Sequence, residues 1–376
     1  MHLFNRLLAI TLLTFLTIFS LLFVMLPDQA FSETENRMLQ KKPHFSWDNL
    51  ISGKFSFAAE NYLADQFAFR DMWVGIKSAA ELVLQKKDNN GVYFGQDGYL
   101  LQKPEKLNAA LLAENIAAIN QFAENLSARA YFLLAPASVQ VLDDKLPPFA
   151  EPRQALDLFA LIRGQLSPDI QFIDTSNALV AHKQEYIYYK TDHHWTTRGA
   201  YYAYREAAPV LDFKPLDINE FTIEQASDNF YGTLHAKSGH RFIQPDAIQL
   251  FKPKRELSCR VEYVNEKRTG NSLYAREHLR QKDKYAVFLD GNHALLRITA
   301  QNQTGRKLLM IKDSYANSLV PFLTNHYDEI HIIDLRHFNS PLQPYIEQYG
   351  LSEILLVYNT ISFAEDPAIR KILLEN

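Results

Sequence analysis

The sequence predicts an α/β domain built on a parallel sheet of about five strands, following a single N-terminal apolar helix. Three observations predict it. Short apolar runs recur at ARAYFLLAP, IQFIDTS, KLLMIKDS, EIHIIDL and EILLVYN. They are too continuous for strands with one face in water, and suit parallel strands covered on both faces. Helix-period segments lie beside them, as a sheet with crossover helices requires. Near the start, 20 residues pass without a charge.

That uncharged run, LLAITLLTFLTIFSLLFVML, extends from Leu7 to Leu26, between Arg6 and Pro27–Asp28. As a helix it spans roughly 30 Å, the thickness of a bilayer core. The apolar part of a signal peptide is shorter, about 7–15 residues, and ends in a small-x-small site. Here PDQAFSE offers only Ala30. Residues 1–27 are therefore expected to stay as a membrane anchor, with secretion the outcome if they are cleaved. Arg6 on one flank and Asp28, Glu33 and Glu35 on the other put the N-terminus inside and the bulk outside. A buried core helix is the alternative, but such a helix rarely starts at residue 7 without a polar face.

Residues 28–50 are polar and read as a juxtamembrane linker, leaving 51–376 as the α/β domain. FAAENYLADQFAFRDMWVGIKSAAELVL has helical spacing, and GVYFGQDGYLL reads as two short strands about an Asp-Gly turn. Leu107, Leu111, Leu112, Ile116, Ile119 and Phe122 form the stripe of a helix over about 104–126. It precedes the strand at 128–136, and a helix near 152–165 precedes the strand at 170–176. The last three strands fall at 307–314, 329–335 and 353–359, with helical segments at 315–325 and 341–349. Residues 212–300 are more polar and break the alternation, so they are expected to be an insertion on the sheet's rim.

Composition narrows the function. Hydrophobic residues are 47 % of the chain, and the net charge of −4 supplies no basic field for nucleic acid. Cys259 is the single cysteine, so neither an intrachain disulfide nor a Cys-rich zinc site is possible.

In an open parallel sheet, ligands bind beyond the carboxyl ends of the strands. Ser138, Asp174, Asp313–Ser314, Asp334 with Arg336, and Asn359 stand at those ends. Ser314 follows a buried strand and opens a helix, a setting that suits a nucleophile or a plain helix cap. KTDHHWTT (190–197) holds the densest ionisable chemistry in the chain. If the segment is extended, Asp192 and His194 share a face while His193 points elsewhere. A carboxylate beside an imidazole fixes its tautomer for general-base work, and Ser314 would complete the set. The competing chemistry is a metal on Asp192, His193 and His194, disfavoured because no HExxH pattern or Cys partner accompanies them. A further alternative makes Asp192 the cap of a helix starting near Thr197, with Trp195 in the core. Arg336 and Asp334 are candidates to grip a carboxylate or sugar hydroxyls, or form a salt bridge. Asn359 is a candidate amide donor or a turn residue, and His235 and Lys237 sit in a loop that closes over the site or carries solvated charge.

Beyond this point the chain resembles a known family. Asp192-His193-His194-Trp195, ENRML, YLADQFAFRD, GVYFGQDGYLL, YGTLHAKSG, FLDGNHALL and IKDSYANSLVPFL are similar to the blocks of the DHHW family of bacterial extracytoplasmic proteins. That family is similar to the SGNH-hydrolase-like alginate O-acetylation proteins, in which a Thr-Asp-x-His-Trp motif and a distant serine form a triad. The resemblance implies an SGNH-like three-layer fold, with Asp192 as orienter, His194 as base and Ser314 as nucleophile. It implies an O-acetyltransferase for cell-surface polysaccharide, with no cofactor or metal, supplied by an acetylated donor or a membrane acyltransferase partner. The order Asp, His, Ser departs from ordinary SGNH esterases, so oxyanion donors do not carry over. An acetylesterase with the same triad and a non-catalytic glycan-binding scaffold are the rivals.

Overall fold

The computed structural model describes residues 2–374 apart from Glu33, Thr34, Asn36, Phe149, Glu151, Pro152 and Glu256. Glu33 of the acidic flank and Pro152 at the expected helix start therefore lie outside the described residues. The chain forms two compact units, Met1–Lys86 with His235–Phe242, and Lys87–Leu234 with Ile243–Asn376.

The first unit is helical. Helix α1 (His2–Met25) is followed by a two-residue pairing of β1 (Phe31–Ser32) with β2 (Arg37–Met38), then α2 (Trp47–Ile51), α3 (Lys54–Asp65) and α4 (Arg70–Val83). Within α1, Leu3–Met25 has mean hydropathy 2.6 and buries none of its most apolar stretch. The single helix expected over 55–84 is broken between α3 and α4. Phe69 adopts φ +59°, a left-handed conformation that an α-helix cannot pass through. Residues 51–86, expected within the sheet domain, group with α1, because Phe67, Trp73 and Tyr62 pack against Phe19 and Phe23.

The second unit holds the sheet. After a small meander of β3 (Asp88–Asn89), β4 (Val92–Phe94) and β5 (Leu100–Gln102) come α5 (Ala109–Glu124), β6 (Arg129–Ala135), α6 (Ser138–Val141) and α7 (Arg153–Gly164). Then follow β7 (Ile170–Asp174), α8 (Ser176–Ala181), α9 (Thr197–Ala207), β8 (Phe221–Phe230), α10 (Thr233–Ser238), whose residues from His235 on group with the first unit, and β9 (Asp246–Pro253). β10 (Cys259–Tyr263), β11 (Arg268–Gly270), β12 (Leu295–Ala300), β13 (Lys307–Lys312), α11 (Val320–Leu323), β14 (Glu329–Ile333), α12 (Leu342–Tyr349), β15 (Glu353–Asn359) and α13 (Thr360–Glu365) complete it.

Eight strands pair in the order β11-β10-β12-β14-β13-β15-β6-β7, and the last five are mutually parallel. The expected parallel core is thus present. Part of the 212–300 insertion does more than sit on its rim, since β10, β11 and β12 extend the sheet antiparallel beyond β14. Strand alternation divides the core into two faces. Tyr131 and Leu133 of β6 with Leu355 and Val357 of β15 meet Tyr201 and Tyr204 of α9 and Phe322 of α11. Phe132 and Leu134 with Ile354 and Leu356 meet Ile116 and Ile119 of α5, Ile162 of α7 and Ile346 of α12. Each such buried side chain contributes roughly 1.5–3 kcal/mol. Helices on both faces make a three-layer domain.

Candidate active site

Ser314 owes its position to β13. The strand ends at Lys312, in register with Val357 of β15, and the next residues wind into a one-turn helix over Ser314–Ser318. The cap of that turn is Asp313, whose Oδ1 accepts from Tyr315 N at 2.9 Å while Oδ2 accepts from Asn359 N at 2.7 Å. Capping is thereby done by Asp313, which leaves the hydroxyl of half-buried Ser314 out of the cap. The Ser314 N–H belongs to the first turn, where no acceptor exists inside the helix.

The loop carrying Asp192 is not extended, contrary to the period-two expectation. Residues 190–194 form a bend between Tyr188 and Trp195, which bridge antiparallel. Buried Asp246 pins the bend by accepting from Lys190 N at 2.8 Å and Thr191 N at 2.7 Å. Within it, Asp192 Oδ1 accepts from His194 N at 3.0 Å, an Asx turn that folds the carboxylate onto the imidazole. Thr196, not Asp192, caps α9, its hydroxyl accepting from Gly199 N.

The three side chains form one line. His194 Nδ1–H donates to Asp192 Oδ1 at 2.5 Å, and the Ser314 hydroxyl donates to His194 Nε2 at 2.7 Å. Asp192 and His194 are buried. Asp192 Oδ2 also accepts from Thr233 N at 2.8 Å and Thr233 Oγ1 at 3.1 Å. Burial alone would raise the Asp192 pKa, but the positive field of His194 and His193 and these bonds hold it far below the usual carboxylate range. Gly232 lets the chain pass this close. A Cβ there would stand 2.2 Å from the Asp192 Cβ.

Aromatic residues clamp His194. Tyr285 stacks on the His194 ring with centroids 3.8 Å apart and planes 8° off parallel, while its hydroxyl donates to Ser314 O at 3.1 Å. Trp195 Nε1 donates to Tyr315 O at 2.9 Å and Ser318 Oγ at 3.0 Å, and the Tyr315 hydroxyl donates to His193 O. These bonds tie the two loops together, so Trp195 acts as a structural bolt. His193 turns aside, hydrogen-bonding Thr233 Oγ1 through Nδ1 at 2.7 Å. Burial, with the adjacent His194, pushes it down to about 4.

A metal would have to compete with these bonds. Ligand atoms of Asp192, His193 and His194 lie within 4.8 Å of one another, yet both His194 nitrogens and His193 Nδ1 are already engaged. A second cluster, Glu277, His278 and Asp290, is crossed by Arg268, which pairs with Asp290.

The other strand-end candidates are occupied. Arg336 Nε donates to Asp334 Oδ1 at 2.8 Å and its Nη2 to Oδ2 at 2.5 Å, so its fork is spent on a fully buried carboxylate. Asn359 caps α13 through Oδ1 and donates Nδ2 to Ala135 O. Ser138 is buried in the first turn of α6, and Asp174 pairs with Arg163 at 2.8 Å. His235 and Lys237 lie on the short helix α10 and not in a loop, and both group with the helical unit.

Sequence reasoning passed over Thr233, Tyr285 and Lys312. Thr233 and Lys312 lie inside quoted blocks, whereas nothing local in KDKYAV marks Tyr285. Lys312 is buried under the site, donating to Asn292 Oδ1 at 2.6 Å and Asn317 Oδ1 at 2.8 Å. Burial outweighs the attraction of Asp334 and brings its pKa down to about 8.

The family model described as DHHW protein matches residues 105–333, more than half of the 376-residue chain. The chain belongs to the DHHW family. A curated relative of this DHHW protein, the probable alginate O-acetylase AlgJ of Pseudomonas fluorescens, is 24 % identical over 246 residues, 60 % of each chain. A DHHW family protein from Eubacterium siraeum is similar in structure, with TM-score 0.66, 24 % identity and coverage of 77 % of this chain and 98 % of that one. PatB1 of Bacillus cereus, solved with a sulfonyl adduct, is similar with TM-score 0.61, 21 % identity and coverage of 73 % and 96 %. These likenesses show the expected α/β fold on a mostly parallel sheet.

Proposed function

We propose that this DHHW protein is an extracytoplasmic O-acetyltransferase that modifies polysaccharide hydroxyls through an acetyl-Ser314 intermediate, held at the membrane by α1. The observation that carries it is the line from Asp192 Oδ1 through His194 to Ser314 Oγ, with steps of 2.5 and 2.7 Å. Asp192 holds Nδ1 protonated, so Nε2 is the acceptor for the serine proton. Ser314 Oγ attacks the acetyl carbonyl, its proton passes to Nε2, and the developing oxyanion meets the Ser314 N–H. Collapse expels the donor alkoxide, which takes the proton from His194 and leaves acetyl-Ser314. An acceptor hydroxyl then gives its proton to Nε2 and attacks the acyl group, and as the bond to Ser314 Oγ breaks His194 returns that proton to Oγ, releasing the acetylated acceptor and free serine. The choice of acetyl and of a polysaccharide rests on similarity to a probable alginate O-acetylase. An extracytoplasmic enzyme is away from cytoplasmic acyl thioesters, so a membrane acyltransferase partner is the expected source of acetyl.

The experiment supplies the full-length protein with an acetyl ester and candidate oligosaccharides. Acetylated sugar, absent with Ser314→Ala, is the expected product. Acetate without acetylated sugar would make it an esterase, and full complementation by Ser314→Ala would make it a scaffold.

A further inference from the structure

The helical unit exposes apolar surface that the sheet unit does not. Among the described residues of the sheet unit, the large apolar side chains left exposed are Leu161, Val180, Ile223 and Leu374. The much shorter stretch from α2 to Lys86 leaves more, with Trp47 and Phe57 69 % exposed and Ile51 and Val83 83 %. The segment 235–242, which packs with this unit, adds Phe242 at 78 %. This surface is not a misplaced core. α2 and α3 bury no residue, and α4 buries only Gly75 and Ser78.

What covers the surface follows from its neighbour. Phe15, Phe19 and Phe23 of α1 stand four apart and so share one face. Phe15 meets Trp73, Phe19 meets Phe67 and Trp73, and Phe23 meets Tyr62. At 1.5 Å per residue, Phe15 lies roughly 15 Å along the axis from Met25. The apolar face of α3 and α4 therefore runs beside the last half of a helix suited to crossing a bilayer. Several charges of this unit pair within it, Arg37 with Asp65 and Glu35, and Arg70 with Glu35. Pairing lowers the cost of bringing them to a low-dielectric boundary. Aromatic residues with one wet and one apolar side favour that boundary.

We propose that α2, α3 and α4, with the segment 235–242, form a membrane-interface surface that seats in the lipid leaflet at the Met25 end of α1. The proposal rests on α1 being a retained anchor. Lipid acyl chains are the occupant, and an amphipathic helix lying in the interface is the mode of binding.

Tryptophan emission tests it, because the chain holds three tryptophans and Trp195 is fully buried. Full-length protein is placed in phosphatidylcholine vesicles with bromine near the headgroup end of the acyl chains. Bromine is expected to remove about half or more of the emission of Trp47 and Trp73, as interface seating requires. That loss is read against the double variant Trp47→Tyr with Trp73→Tyr, whose Trp195 emission stays unchanged. The N-terminal mass of the vesicle-bound protein separates the two ideas. Intact α1 with unquenched Trp47 and Trp73 would overturn the surface while sparing the anchor, and a cleaved α1 would overturn the anchor and the proposal with it. Shielding of both tryptophans by concentration-dependent self-association, without quenching by bromine, would assign the face to a second copy and overturn lipid as the occupant.

Discussion

Two polar clusters occupy the carboxyl edge of the same sheet, and they end differently. Asp192, His194 and Ser314 form a line whose last atom is a half-buried hydroxyl. Lys312, Asp334 and Arg336 form a network that meets its own charges, each paired with another or with Asn292 and Asn317, and of the three only the Arg336 side chain, 37 % exposed, reaches the surface. Both hold a buried carboxylate next to a basic partner. A closed network specifies geometry, whereas one that runs out to a reachable hydroxyl can pass a proton to a bound reactant. Abundance of ionisable groups is therefore a poor guide to chemistry, and the terminus of each chain of bonds is a better one.

The sharpest way to break this comparison is to alter the carboxylate in each cluster. Asp192→Asn should lower kcat by on the order of 10⁴ while leaving the circular dichroism spectrum unchanged, because the amide selects the wrong imidazole tautomer. Asp334→Ala should do the reverse. It strands Lys312 and Arg336 beside a buried void and should cost about 3–5 kcal/mol in urea unfolding, with the folded fraction keeping kcat within a few-fold. A variant of Asp334 that lost activity as Asp192→Asn does, at undiminished stability, would erase the distinction.

A smaller effect sharpens the open cluster. Tyr285 stacks on His194 and bonds the Ser314 carbonyl, so it holds the two residues together. Tyr285→Leu should lower kcat by about tenfold with KM little changed, the scale of a stacked imidazolium contact. Tyr285→Phe keeps the stack and should lose only a few-fold.

The smallest effect concerns the closed cluster and pH. The folded pKa of Lys312, about 8, lies below its ordinary 10.5. Between those values the unfolded chain binds a proton that the folded one does not, so stability rises with pH across the window and is lost as pH falls through about 8. Relative to Lys312→Met, the wild type should gain about 1 kcal/mol per pH unit there, read from paired denaturation midpoints. An unchanged difference between the two would show that Lys312 does not titrate in the fold.

The parallel core was legible because strands covered on both faces must be apolar without interruption, as Leu308–Ile311 and Ile354–Tyr358 are. The outer strands β10 and β11 were not, since alternating residues such as Arg260 and Glu262 of β10 look like a polar insertion. The break at Phe69 depends on one left-handed residue without a glycine to announce it. At the site, the strand-to-helix junction gave Ser314, while the cap that frees its hydroxyl, Asp313, was read only as its neighbour. Asp192 and His194 were expected to share a face of an extended segment, yet an Asx turn pinned by Asp246 brings them together. Tyr285 reaches His194 from 91 positions away in the numbering, a distance over which no spacing rule operates.

The proposed acyl transfer requires Ser314 to be a nucleophile made reactive by His194. Treating the full-length protein with a sulfonyl fluoride and mapping the product by peptide mass spectrometry measures that directly. The predicted result is one adduct, on Ser314, abolished by His194→Ala in a protein that remains folded. An unmodified Ser314, or labelling that is unchanged when His194 is replaced, would contradict it.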